Sequence, residues 1–129
     1  PWLCVQAMNP QELIREIFSL DEDIRWVGIV DPGGRIVANQ QRPYVENLAD
    51  PVTDELTLRE FPTVMGLFWR QPVGRSGELR SLLVAYTRVY LLAFYIGDSL
   101  AVISFEPRAF QRVVNGLENS YGPLLPTQS

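Results

Sequence analysis

Between Trp26 and Pro43 the chain reads WVGIVDPGGRIVANQQRP, two apolar, β-branched runs separated by an acid, a proline and two glycines. No other stretch limits the fold as much. A phosphate-gripping loop needs backbone N–H groups converging on a helix N-terminus, usually with a lysine or a hydroxyl in reach. Here the glycines lead into RIVANQ, which has strand composition. The stretch therefore predicts a hairpin, with strands at Trp26–Asp31 and Arg35–Gln40. Asp31 is expected to bond to the local backbone, and the glycines to supply positive φ. This hairpin is the piece from which a sheet is built. Beyond it, Arg35, Gln40, Gln41 and Arg42 lead into RPYVENLADP, a loop placed to meet a partner at the sheet edge.

The remaining elements follow from periodicity. Leu13, Ile14, Ile17 and Phe18 recur at helical spacing over Pro10–Leu20, with Asn9 as cap, Pro10 in the first turn and Glu12 three residues after the cap. A second helix is expected to open at Thr53 or Asp54, with Leu56, Phe61, Val64, Met65, Phe68 and Trp69 as its apolar set. Pro62 removes a donor inside it, so the helix either kinks there or restarts at Phe61. QPVGRSGE is a loop. Strands at Leu79–Thr87, Tyr90–Ile96 and Ser99–Glu106 then form a meander, the last two joined by Gly97-Asp98. A final helix opens at Pro107, carries Phe110, Val113, Val114, Leu117 and Tyr121 on one face, and ends at Gly122. The order is α-β-β-α-β-β-β-α. It predicts an α+β sandwich, a five-stranded antiparallel sheet with one face covered by helices.

A chain of 129 residues, 47% hydrophobic, is enough for one domain, assigned to residues 10–122. Residues 1–9 form an N-terminal extension and 123–129 a frayed tail. Met8 is expected to begin the natural domain, with the first seven residues foreign to it or loosely held. The net charge of −4 argues against binding nucleic acid or inserting in an anionic membrane. All eleven cations are Arg and histidine is absent, which removes Schiff-base lysines and every His-based acid, base or metal ligand. Cys4 is the single cysteine, which favours a reducing compartment, the cytoplasm.

Chemistry without Lys or His has few residues left to run on. Asp21, Glu22 and Asp23 lack the spaced oxygen ligands and glycine of a calcium loop and are expected in a solvated turn. Asp50, Asp54, Glu55 and Glu60 are near in sequence, but nothing in the pattern buries one of them to raise its pKa. Capping and a solvated face explain them. Cys4 has no histidine partner. No catalytic, cofactor-binding or metal-binding residue is assigned, and the chain is expected not to be an enzyme. The meander is apolar on both faces, since Leu82, Val84 and Tyr86 alternate with Leu83, Ala85 and Thr87. Something must cover the second face: the Trp69 helix, a partner or a second copy.

This element order, with WVGIVDPGGRIVAN as its closest local match, resembles the Roadblock and dynein light-chain family of the profilin-like group, which includes longin domains. The run from Ser19 onward also resembles small archaeal proteins. The Roadblock resemblance implies a symmetric homodimer through the second helix and third strand, which here means Phe61, Val64, Phe68, Trp69, Leu82 and Val84. It also implies a scaffold or a regulator of a small GTPase. The alternative is a ligand sensor resembling PAS or Cache domains, with a pocket lined by Trp26, Phe94 and Phe105 and no other cofactor.

Overall fold

The computed structural model describes residues 9–45, 51–70 and 77–126, except for the side chains of 51–56 and 68–70. Helix α1 spans Pro10–Leu20, and the Asn9 side chain accepts from the Glu12 N–H at 2.8 Å, as the cap pattern predicts. Strands β1 (Ile24–Val30) and β2 (Ile36–Gln41) form the hairpin. Helix α2 runs from Pro51 to Arg70. The meander is β3 (Ser81–Ala85), β4 (Tyr90–Ile96) and β5 (Ser99–Phe105). A 3-10 turn at Pro107–Ala109 leads into α3, Phe110–Tyr121, which stops at Gly122 with φ 96°. The sheet is antiparallel in the order β2-β1-β5-β4-β3. This is the predicted α+β fold.

Side-chain alternation on the central strands builds two cores. On one face Val27, Ile29, Leu92, Phe94, Ile103 and Phe105 pack beneath Leu13, Ile14 and Ile17 of α1 and Val113, Val114 and Leu117 of α3. On the other face Trp26, Val30, Ala93, Leu100 and Val102 meet Leu58, Phe61 and Met65 of α2. The expectation of helices on one face only is thus corrected, and of the three covers named for the second face the Trp69 helix, α2, is the one found. Periodicity finds a helix's apolar stripe but not the side of the sheet that receives it.

Alpha-helical structure continues through Pro62, so α2 does not restart at Phe61. Pro62 cannot donate to the Leu58 carbonyl, and in the same core the Trp26 Nε1–H is buried with no hydrogen-bond partner among the described residues. An unsatisfied buried donor costs roughly 1–3 kcal/mol, so this core is less well satisfied than the other. Gly28 is required here by space. A Cβ on it would lie 2.7 Å from both Leu58 Cδ2 and Trp26 Cη2.

Two expectations about exposed segments change. Arg42 does not reach toward a partner. Its Nε donates to the Ile24 carbonyl at 2.6 Å, and Nη2 to the Phe18 and Asp21 carbonyls at 2.8 Å each. Nor is the start of the tail frayed. Leu124 is 4% exposed in the α1/α3 core, and backbone groups of Pro123–Leu125 are bonded to Arg80, Ser81 and Glu118. Residues 1–8 and 127–129 lie outside the described residues.

Candidate interaction site

The sheet has two edges, and β3 forms one of them. Tyr86 N–H bonds the Val89 carbonyl at 3.0 Å, which makes 86 and 89 a hydrogen-bonded pair. Antiparallel pairs alternate, so Leu82 and Val84 bond inward to Ala93 and Leu91. Ser81, Leu83 and Ala85 therefore turn their backbone N–H and C=O groups away from the sheet.

Beside this edge α2 and β3 enclose an open groove of about 350 Å³, lined by Thr57, Glu60, Phe61, Val64, Leu82 and Val84. Four of the six residues expected at an interface thus meet at one place. Phe61 is 6% exposed and belongs largely to the core, while Val64, Leu82 and Val84 are half-buried. The side chains of Phe68 and Trp69 lie outside the described residues. Leu83 and Tyr86, which are not among the six, are 40% and 56% exposed on β3 and just after it. Their signal is present in the apolar alternation of the meander, but that pattern does not say which strand is the edge.

The residues expected to form a sensing pocket do not share one. Trp26 belongs to the α2 core, and Phe94 and Phe105 to the α1/α3 core on the other face of the sheet. Phe94 and Phe105 are fully buried among aromatic neighbours, Phe105 beside Tyr90 and Phe110, and Phe94 beside Tyr121.

The Asp31–Gly34 turn has no amide to spare for a phosphate. Asp31 Oδ1 accepts from Gly33 N–H and Arg35 N–H at 2.9 Å, and the Asp31 carbonyl accepts from Gly34 N–H at 2.9 Å. Gly34 alone of the pair has positive φ, 85°. A cleft of about 380 Å³ opens between this turn, Pro62, Tyr95 and Asp98. Burial pushes the Tyr95 phenol up from its ordinary value.

The acidic connection is not a solvated turn. Arg112 Nε donates to Asp21 Oδ2 at 2.9 Å and its Nη2 to Asp23 Oδ2 at 2.5 Å, while Arg108 donates to Asp23 Oδ1 at 3.1 Å. These bonds tie the α1–β1 connection to the start of α3. The Arg108 hydrogen bond, helped by Arg112, holds the Asp23 carboxyl below its ordinary value. A lowered folded pKa stabilises the protein above the unfolded value, near pH 4, and the contribution disappears as pH falls through the folded value. Urea midpoints from pH 6 to pH 2.5 should therefore drop below about pH 4. Asp23→Asn should remove part of that acid dependence, and an unchanged profile would count against the assignment.

Among the described residues no cluster of three acidic or cysteine side chains is arranged to hold a metal ion. None of the described helices is long and apolar enough to cross a membrane.

No protein-family model and no curated protein matches the chain. Solved structures do. A structure of MglB with tetrameric arrangement superposes with a TM-score of 0.66 at 12% identity, covering 88% of this chain and 85% of its own. The gliding protein MglB from Thermus thermophilus gives 0.63 at 16% identity, covering 88% of this chain and 83% of its own. A Roadblock/LC7 domain from Streptomyces avermitilis gives 0.57 at 10% identity, covering 81% of this chain and 90% of its own. At such identities the likeness is one of fold.

Proposed function

From a chain with the Roadblock-like fold, we propose a non-enzymatic interaction module that forms a homodimer through α2 and the β3 edge. In this reading it acts in the cytoplasm as a scaffold or as a regulator of a small GTPase, the roles that the Roadblock resemblance implies. The observation that carries the proposal is the β3 edge, unpaired among the described residues, directly beside the apolar groove of Phe61, Val64, Leu82 and Val84. Unpaired edges and contiguous apolar grooves are each features that association removes. Here they adjoin. The Roadblock resemblance implies Phe68 and Trp69 as further members of this interface.

The outward groups set the geometry of the seam. Pairing Ser81, Leu83 and Ala85 with the same residues of an antiparallel second copy puts the two-fold axis at Leu83. Leu82 of each copy then stands opposite Val84 of the other, and the two grooves close on one another.

A cysteine at position 83 tests this register. Antiparallel residues opposed as a hydrogen-bonded pair, as Leu83 would be with its copy, have Cα atoms about 5.5 Å apart, within the range a disulfide spans. In a Cys4→Ser background, Leu83→Cys should form a disulfide-linked dimer under mild oxidation, and Val37→Cys on the opposite edge should not. Equal cross-linking at both positions, or a wild-type monomer by light scattering at high concentration, would overturn the proposal. GTP hydrolysis by a small GTPase, measured with and without the dimer, separates regulator from scaffold.

A further inference from the structure

After Gly122 the chain folds back from α3 to the opening of β3. Glu118 holds this return on one side, its Oε2 accepting from Leu124 N–H at 2.8 Å and Leu125 N–H at 3.3 Å. On the other side Ser81 Oγ donates to the Leu124 carbonyl at 2.9 Å and Arg80 Nε to the Pro123 carbonyl at 3.0 Å. The Leu124 side chain is buried between these two sets of bonds. Gly122, at φ 96°, makes the reversal, a conformation that a side chain disfavours.

The position of this strap matters because β3 is short and, among the described residues, pairs with only one strand, β4. Short, half-paired edge strands open at low free energy. Ser81, at the start of β3, is both an outward-facing backbone position and the donor to the strap.

We infer that Pro123–Leu125 is a latch that fixes the first residues of β3, so that release of the latch frays the edge and weakens association through it. Glu118 and Ser81 are positioning residues at its two ends. The coupling to association rests on the homodimer proposed above; the effect on β3 does not.

Amide hydrogen exchange on the full chain tests the two parts separately. In Glu118→Ala the Leu82 and Val84 amides should exchange about tenfold faster, while those of Val27 and Ile103 in the central strands keep their rates. Glu118→Gln retains one acceptor oxygen and should fall between. Ser81→Ala should produce the same local change, and the double variant should be no worse than the stronger single one, because both open one latch. The dimer dissociation constant should rise about fivefold in each, a change near 1 kcal/mol.

Unchanged β3 exchange, acceleration spread equally over β1 and β5, or additive single effects would overturn the latch. Faster β3 exchange with an unchanged dissociation constant would overturn its coupling to association. If the wild type never dimerises, the homodimer fails, and the exchange measurement still decides whether the latch exists.

Discussion

Replacing Arg42 by methionine is expected to destabilise the fold by about 2–3 kcal/mol, the upper part of the range for hydrogen bonds made by a charged group. One guanidinium serves three carbonyls: Phe18 and Asp21 at the end of α1, and Ile24 at the start of β1. Its carbon also stands 4.7 Å from the centre of the Phe18 ring. Two of these acceptors carry the negative end of the α1 dipole, so the cation suits them by field as well as geometry. Methionine fills similar volume but leaves all three carbonyls without that donor. Lysine keeps the charge, yet a single ammonium lacks the planar fork that reaches separate acceptors, and Arg42→Lys should recover less than half the loss. Equilibrium urea unfolding measures both. A loss below about 1 kcal/mol for Arg42→Met would mean that water replaces the guanidinium freely.

Arg42 also marks where the sequence stops being legible. Features set by neighbours in the chain could be read directly: the Asn9 cap, the Asp31 turn, the bounds of β4 and the Gly122 stop all depend on nearby residues. What Arg42 does depends on carbonyls 18 to 24 residues away, brought to it by the hairpin and α1. The pairing of Asp21 and Asp23 with Arg112 and Arg108 spans the domain in the same way. So does the return of Leu124 to Ser81, which turned an expected tail into part of the core.

The candidate site was legible in composition but not in arrangement. Leu82 and Val84 stood out because the meander is apolar on both faces. That β3 is an edge, and that α2 packs beside it on the second face, follow only from the strand order. The three aromatics assigned to a ligand pocket show the converse error. Trp26, Phe94 and Phe105 are all core-forming, but strand alternation divides them between two faces.

The largest effect on association is expected from Val84→Arg. Val84 is half-buried, lines the groove and stands opposite Leu82 in the proposed seam. By two-fold symmetry one substitution introduces two guanidinium groups into the same apolar contact. Each must lose water there, and among the groove residues only Glu60 offers a carboxylate. A penalty of about 3 kcal/mol, modest for burying unpaired charge at an interface, raises the dissociation constant more than a hundredfold. The monomer should remain folded, because the Arg stem can lie along the open groove with its head in water. Val37→Arg is the matched control, since Val37 is 40% exposed on the opposite edge strand. Sedimentation equilibrium should find Val84→Arg monomeric at concentrations where wild type and Val37→Arg are dimers. If Val84→Arg dimerised like wild type, association would have to use another surface, and the alignment of groove and edge would have no part in it.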